Sequence, residues 1–159
     1  MPYTFRPVTA ADIPLLRAWR AQPHVRLWWG ASEDEDPADV LVERDAAMWI
    51  VELDGGAFAC AQDYLPHGGD PHHFADLPPG SRGIDQYIGE PDMLDRGHGS
   101  AFIRRHVERL FAAGAPVVGT DPHPNNARAI RAYRKAGFVI ASDPLETRWG
   151  RALLMECRR

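Results

Sequence analysis

The 159-residue sequence has few cysteines, a single lysine and no long apolar run. Its two cysteines, Cys60 and Cys157, are too few for a disulfide framework, and no C-x-x-C pair suggests a zinc site. No stretch approaches the roughly 18 apolar residues that a membrane helix needs. The N-terminal segment also lacks an apolar signal core. We therefore expect a cytoplasmic protein that has no membrane partner.

An excess of basic charge is also missing. The formal net charge is −4, whereas nucleic-acid-binding domains are usually basic, so we expect no nucleic acid partner. Residues 1–80 carry 5 basic and 13 acidic side chains, and residues 81–159 carry 13 basic and 9 acidic ones. Apart from Lys135, every basic side chain is an arginine, a residue that suits phosphate recognition. This bias fits an anionic ligand, although a GC-rich genome also produces arginine-rich proteins.

The length and composition suit one globular domain. The chain is 45% hydrophobic and 25% charged, which are ordinary globular values, and we expect a single domain over residues 1–159. Apolar periodicity and turn residues predict the element order β-α-α-β-β-β-α-β-α-β-β. This order predicts an α/β fold in which helices cover a mixed sheet. Predicted elements include helices over residues 37–46 and 126–136, a hairpin turn at Asp54-Gly55-Gly56, a strand over residues 83–88 and an acidic loop over residues 31–36. Thr9 is predicted to begin a helix with Asp12 at the capping-box position, and Gly137 is predicted to be the C-cap glycine of the helix over residues 126–136.

A glycine-rich turn at Arg96-Gly97-His98-Gly99-Ser100 precedes a long predicted helix. Glycines allow a ligand to approach the backbone closely, and free N–H groups at a helix start bind phosphate. The alternative is simply a tight helix entry. The turn is neither a P-loop, because no G-K-[ST] follows, nor a dinucleotide fingerprint, because position 102 is not a glycine.

This turn is followed by a more specific motif, Asn126-x-x-Ala129-x-x-x-Tyr133-x-x-x-Gly137-Phe138. In this order and spacing, the two motifs resemble the GNAT N-acetyltransferase superfamily. Three further segments resemble the aminoglycoside 6′-N-acetyltransferases within it, and the likeness extends over about residues 3 to 157. They are residues 25–30 (VRLWWG), residues 82–86 (RGIDQ) and residues 120–131 (TDPHPNNARAIR).

The resemblance implies a twisted mixed sheet whose fourth and fifth strands splay apart, with acetyl-CoA as cosubstrate in the gap. Backbone N–H groups of the glycine turn would hold the pyrophosphate. Strand residues would pair with the pantetheine amides as an added strand, and an asparagine would hold the pantetheine arm. The implied cofactor-binding residues are Gln86, Tyr87, Ile88, Arg96, Gly97, His98, Gly99, Ser100 and Asn126.

The resemblance also implies the catalytic residues. Asp85 would bind the acceptor amine and take up its proton, and Tyr133 would donate a proton to the CoA sulfur. Asp121 would bind the cationic acceptor. Trp28 and Trp29 would form a clamp at the acceptor mouth, for which ordinary core packing is the alternative. The other three side chains also have purely structural interpretations: Asp85 as a strand-end residue, Asp121 as a turn residue and Tyr133 as a core residue.

Two features depart from the family pattern. Leu94 stands where the superfamily prefers glutamine or arginine, and residues 66–76 contain only two acids where the aminoglycoside enzymes are acidic and aromatic. His67, His72 and His73 raise the alternative of a metal site, but no fourth ligand has suitable spacing. We therefore expect an exposed polar loop and no metal. The resemblance implies the reaction more specifically than the acceptor.

The sequence thus predicts an acetyl-CoA-dependent N-acetyltransferase that acts on an aminoglycoside or a similar polycationic amine, with antibiotic resistance as one role. A monomer or a homodimer is expected. The alternative acceptors are a siderophore hydroxylysine, a polyamine or a protein amine. A related acyltransferase branch uses a histidine and a carboxylate in the acceptor site, and His24 or His73 would supply that histidine. A CoA-binding protein without turnover is the remaining alternative.

Overall fold

The computed structural model describes residues 2–30, 35–43, 45–67 and 71–159. These residues form nine strands and five α-helices. The strands are β1 (Tyr3–Pro7), β2 (Ala46–Leu53), β3 (Gly56–Tyr64), β4 (Arg82–Ile88), β5 (Val117–Thr120), β6 (Val139–Ile140), β7 (Leu145–Thr147), β8 (Gly150–Ala152) and β9 (Met155–Arg158). The helices are α1 (Ile13–Arg20), α2 (Pro23–Trp29), α3 (Pro37–Leu41), α4 (His98–Ala112) and α5 (Ala127–Ala136). Among the helices of the described residues, none has the length and apolar character needed to span a bilayer.

Seven strands form a mixed sheet in the order β1-β2-β3-β4-β5-β9-β6, and β7 pairs with β8 in a separate hairpin. The α/β fold expected from the sequence is therefore confirmed. By contact density the chain divides into two compact units, one comprising residues up to Asp63 together with Gln86–Gly99, and the other comprising Tyr64–Asp85 together with Ser100–Arg159. We call them unit 1 and unit 2. Strand β4 passes from unit 2 into unit 1 after Asp85.

Unit 1 is held together by helix α1, which packs on the strands. Leu16 and Ile50 are fully buried, and Trp19 is almost so. A capping box between Thr9 and Asp12 starts a short 3-10 turn that leads into α1, as the sequence predicts. The turn between β2 and β3 has a positive φ at Asp54, as tight hairpin turns require. Strands β2 and β3 are neighbours in the sheet, so the predicted hairpin is confirmed.

Unit 2 contains the longer helices. Helix α4 turns Phe102, Ile103 and Val107 toward the core. The side chain of Asn126 caps α5 by accepting a hydrogen bond from the backbone N–H of Ala129. Helix α5 ends at Gly137, whose φ of 108° is left-handed, so the predicted C-cap glycine is confirmed.

Strands β4 and β5 are parallel and part early. Their register pairs Arg82 with Val118 and Gly83 with Gly119, whereas β4 continues to Ile88. At the point of divergence the hydroxyl of Thr120 donates to the carbonyl of Ile84 over 3.2 Å. A side chain thus replaces the backbone ladder, and the predicted splay of the fourth and fifth strands is confirmed.

Two local predictions fail. The helix predicted over residues 37–46 ends at Leu41, and Ala46 already begins β2, because β2 extends to pair with β1 and places Trp49 opposite Pro7. The β7–β8 hairpin was not predicted. Of the predicted acidic loop over residues 31–36, positions 31–34 lie outside the described residues, while Asp36 caps α3 and pairs with Arg17 at 3.0 Å.

Candidate active site

Asp85 lies in the part of β4 that belongs to unit 2. It comes two residues after Gly83, where another side chain approaches the strand backbone closely. A Cβ atom on Gly83 would lie 2.2 Å from Cζ of Tyr64 and 2.4 Å from its hydroxyl oxygen. Only glycine leaves room for the phenol to cross the strand at this point. The Arg-Gly-Ile-Asp-Gln motif therefore gains a physical reason: its glycine admits Tyr64 next to the carboxylate that follows.

The carboxylate at the end of β5, Asp121, is held from two directions. Its Oδ2 lies 2.7 Å from Nε2 of His73, and its side chain also hydrogen-bonds with Asp85. Both partners of the His73–Asp121 pair are mostly buried, with side chains 9% and 18% exposed. The two carboxylates that the sequence predicts for the acceptor site are therefore neighbours.

Burial determines the protonation of this cluster. Burial raises the pKa of Asp121 to about 6, while the hydrogen bond with Asp85 acts to lower it. Burial likewise raises the pKa of Tyr64 well above its usual range, and the nearby Asp85, Asp121 and Tyr133 raise it further. Tyr64 is therefore a neutral phenol surrounded by the predicted catalytic groups.

Tyr133 lies on α5, as predicted. It is 6% exposed, and its ring packs edge-on against Phe138 at a centroid distance of 5.4 Å. Its electrostatic effect on Tyr64 places it in the same cluster as the two carboxylates. Asp85, Asp121 and Tyr133 thus all act electrostatically on the Tyr64 phenol within unit 2.

The histidine-rich loop is anchored rather than merely exposed. Phe74 is 3% exposed and lies against Gly119 of β5, where a Cβ atom would come within 2.8 Å of the ring. The imidazole of His72 accepts from the backbone N–H of Phe74 at 3.0 Å. His67 instead lies 2.8 Å from the carbonyl of Leu77. Residues 68–70 of the loop lie outside the described residues.

The three histidines therefore bond to three different groups rather than converging. Within the described ranges no group of three or more His, Cys, Asp or Glu side chains is arranged to hold a metal ion. The ring centroids of His72 and His73 lie 4.0 Å apart, with the rings tilted by 31°, and the Trp149 ring lies 5.2 Å from His72 and 5.8 Å from His73. The loop thus forms an aromatic patch, and burial lowers the pKa of His72 to about 4.

The glycine turn lies in unit 1 and opens α4. Gly97 has φ +82° and nothing within 4 Å of where a Cβ would stand, while Arg96 is exposed. The side chain of His98 is buried, with Nδ1 2.9 Å from the Tyr3 hydroxyl, so His98 can offer only its backbone to a phosphate. Gly99 and the half-buried Ser100 complete the first helical turn, whose N–H groups and dipole favour an anion.

The second half of β4 also belongs to unit 1. The ring of Tyr87 packs against Trp29 at 4.9 Å, and burial raises its pKa well above the usual range. The carbonyl of Ile88 lies 2.8 Å from Nε2 of His24, so this backbone acceptor is already engaged. Gln86 is half-buried.

The two tryptophans predicted to form a clamp differ in their exposure. Trp28 is 39% exposed, whereas Trp29 is half-buried between Tyr87 and the guanidinium of Arg20, which lies 5.3 Å from its ring centroid. Neither belongs to the buried core.

In unit 2, Asn126 uses its amide oxygen to cap α5, so its NH2 group is the part of the side chain available to a ligand.

Sequence reasoning missed three residues of this cluster. Tyr64 is one, and the glycine inside the β4 motif was the signal for it, since a strand glycine often marks a close approach. Arg148 and Trp149 are the others; they form the turn of the β7–β8 hairpin, and Arg148 lies 4.2 Å over the Trp149 ring. The Trp-Gly pair at the turn was the only local signal for them.

A family model described as an acetyltransferase (GNAT) domain matches residues 8–143. The chain belongs to the GNAT acetyltransferase family. It is therefore an N-acetyltransferase with acetyl-CoA as cosubstrate, and the resemblance seen in its sequence motifs is confirmed.

The relatives of this acetyltransferase include aminoglycoside-modifying enzymes. It is 35% identical over 146 residues to an aminoglycoside N(6′)-acetyltransferase type 1 of Klebsiella pneumoniae, covering 85% of this chain and 73% of that protein. A solved structure of AAC(6′)-Ib with paromomycin and acetyl-CoA matches 100% of this chain and 94% of that chain, with 34% identity and a TM-score of 0.88. Another, with coenzyme A and kanamycin, matches 99% and 95%, with 33% identity and a TM-score of 0.87.

Proposed function

We propose that this acetyltransferase transfers the acetyl group of acetyl-CoA to a primary amine of an aminoglycoside or a similar polycationic amino sugar. The observation that carries the proposal is the hydrogen-bonded pair of Asp85 and Asp121 beside the Tyr64 phenol. A polycationic acceptor needs buried negative charge, and this pair supplies it. The aminoglycoside acetyltransferases among the relatives support the same acceptor class.

The chemistry requires two protons to leave the amine. An acceptor ammonium has three N–H bonds and the amide product retains one. Asp85 takes the first proton and so frees the lone pair that attacks the thioester carbonyl. As the tetrahedral intermediate collapses, Tyr133 protonates the departing CoA sulfur, and the second proton leaves nitrogen and restores the Tyr133 phenol, while Asp85 passes the first proton to water. The net products are the amide, the CoA thiol and one proton released to water.

Binding of acetyl-CoA would use both the turn and the basic surface. The N–H groups at the start of α4, with Arg96 exposed beside them, suit a pyrophosphate. The parting of β4 and β5 leaves the backbone of Gln86 and its neighbours as the candidate partner of the pantetheine amides. The NH2 of Asn126 would contact the same arm. Most basic side chains of residues 96–135 are exposed, which adds attraction for an anion.

Further parts of the proposal concern the acceptor mouth and the assembly. Trp28, the more exposed of the tryptophan pair, would cover the acceptor, and Trp29 would brace it. We propose one catalytic domain that acts as a monomer or a homodimer in the cytoplasm. Resistance to an aminoglycoside antibiotic is the proposed biological consequence.

The direct test measures CoA thiol release from acetyl-CoA with kanamycin, tobramycin and other aminoglycosides. Release that depends on both substrates, with mass spectrometry showing one acetyl group on the product, is expected. Lysine peptides, a polyamine and a hydroxylysine derivative serve as the comparison acceptors. No release across the aminoglycoside panel would remove the antibiotic acceptor, and acetyl-CoA binding without release on any amine would favour a non-catalytic protein.

The hydroxylysine arm is included because of one contact. His73 and Asp121, 2.7 Å apart, form a histidine–carboxylate pair of the kind that the alternative acyltransferase branch would use. The surrounding Asp85 and Tyr64 make the site more polar and more acidic than such an acceptor requires. Preferential turnover of the hydroxylamine over every aminoglycoside would reverse this assignment.

Asp121→Asn is expected to raise the KM of the aminoglycoside by roughly tenfold or more, since a hydrogen bond between charged groups is lost. The KM of acetyl-CoA should stay within about twofold, because the anionic cosubstrate gains nothing from Asp121. Steady-state kinetics with each substrate varied in turn provides the measurement. Equal increases in both KM values would argue against a role of Asp121 in acceptor binding.

A further inference from the structure

We propose that His73 is a positioning residue of the acceptor site, whose Nε2–H donates to Asp121 and holds the Asp121–Asp85 pair in the arrangement that receives an ammonium group. The inference rests on the function proposed above. It adds a residue from the loop over residues 66–76, whose composition departs from the family pattern. It also gives the carboxylate pair a third, neutral member.

The direction of the hydrogen bond follows from the chemistry of the partners. An ionised carboxylate can only accept hydrogen bonds. Nε2 of His73, at 2.7 Å from Oδ2 of Asp121, therefore carries the hydrogen. Because both ring nitrogens of an imidazolium are donors, this contact persists whether His73 is neutral or charged.

The position of His73 is built into the fold. Its neighbour Phe74 is buried against Gly119 of β5, two residues before Asp121. The backbone N–H of Leu77 donates to the carbonyl of Phe74 over 3.1 Å, and that of Ala75 donates to the carbonyl of His72 over 3.0 Å. A tight turn with an aromatic anchor therefore fixes the imidazole at the end of β5.

The carboxylate pair needs such a donor. Two carboxyl groups hydrogen-bond to each other only when one is protonated, so Asp85 and Asp121 share a proton while they are in contact. A cationic acceptor binds better once that proton has left. A donor to Oδ2 of Asp121 favours the ionised form of this carboxyl, and His73 is that donor.

The charged groups around His73 shift its pKa in opposite directions. Burial lowers its pKa, Asp85 on β4 raises it, and Arg148 from the β7–β8 hairpin lowers it. His72 lies beside it in the loop, and its own pKa is lowered by burial and by His73. Tyr64 faces the carboxylates as a neutral phenol. His73 therefore acts near neutral pH mainly as an uncharged hydrogen-bond donor.

The test compares His73→Leu with His73→Gln. Leucine keeps the apolar bulk against Phe74 but removes the donor, whereas the amide nitrogen of glutamine can occupy the position of Nε2. In the wild-type protein, kcat/KM for the acceptor should rise with pH through about 6, as Asp121 ionises. In His73→Leu this rise should move up by about one to two pH units, the equivalent of one lost hydrogen bond to a charged group.

The leucine and glutamine variants should also differ in their acceptor KM. His73→Leu should raise the acceptor KM by about tenfold at pH 7 with acetyl-CoA KM unchanged, while His73→Gln stays within about threefold of the wild type. His67→Gln is the matched control, since it changes a hydrogen bond of 2.8 Å in the same loop that ends on the Leu77 carbonyl. Equal behaviour of the leucine and glutamine variants would overturn the proposal.

A second measurement needs no acceptor and separates this inference from the proposed function. Carbon-13 NMR of protein labelled at the aspartate carboxyl carbons follows the titration of Asp121, with Asp121→Asn used to assign the signal. Its midpoint should be higher in His73→Leu than in the wild type, and unchanged midpoints would overturn the proposal even if aminoglycosides are acetylated. If His73→Leu does not fold, His73→Asn replaces it, because its shorter amide mimics Nδ1 and does not reach Asp121.

Discussion

Replacing Asp85 with asparagine is expected to lower kcat at pH 7 by roughly 10²- to 10⁴-fold, the usual contribution of a general base. Near neutral pH the acceptor amine is protonated, and asparagine, unlike the Asp85 carboxylate, cannot take up its first proton. Asparagine has the same shape, and its NH2 group can still donate to Asp121, so the fold should be retained. Stopped thiol-release assays at saturating concentrations of both substrates measure the loss.

The pH dependence identifies the cause of this loss. Above the pKa of the acceptor ammonium, the free amine needs no base, so the Asp85→Asn enzyme should regain rate steadily as the pH rises, whereas the wild type levels off. Asp63→Asn is the matched control: Asp63 is 4% exposed, and its carboxylate accepts from Trp49 Nε1 at 2.8 Å in unit 1. A kcat for Asp85→Asn within about threefold of the Asp63→Asn value would exclude Asp85 as the base.

The parts of the fold that the sequence predicts well are those with local signals. The capping pair Thr9 and Asp12 marks the entry to α1, and Asn126 and Gly137 mark the two ends of α5. Each signal acts within a few residues, through a side chain that bonds to the nearby backbone or a glycine that adopts positive φ. Helix α3 shows the limit, because the length of β2 depends on its distant partner β1, which no local pattern encodes.

The residues of the candidate site show the same difference between local signals and long-range contacts. Asp85, Asp121 and Tyr133 stand in motifs whose spacing could be read along the chain. The contact between His73 and Asp121 joins positions 48 residues apart, and it depends on how Phe74 packs against Gly119. Tyr64 enters the site only because Gly83 lacks a side chain. Contacts of this kind arise from packing, so composition and periodicity do not predict them.

Tyr133→Phe is expected to lower kcat by roughly 10²-fold or more while the Kd of acetyl-CoA changes by less than about twofold. The phenolic O–H of Tyr133 is the proton donor that phenylalanine lacks, so the departing CoA sulfur is no longer protonated by this side chain. Phenylalanine keeps the edge-on contact with Phe138 at 5.4 Å, so binding and stability should persist. Isothermal titration calorimetry with acetyl-CoA and steady-state kinetics give the two numbers.

Tyr3→Phe makes the comparison specific, because it also removes a buried hydroxyl. Tyr3 is 8% exposed, and its hydroxyl lies 2.9 Å from His98 Nδ1 within unit 1. Losing this hydrogen bond should cost about 1 kcal/mol of stability and leave kcat nearly unchanged. Loss of kcat in Tyr133→Phe alone would assign the effect to proton donation, whereas equal loss in both variants, or none in either, would remove Tyr133 from the chemical step.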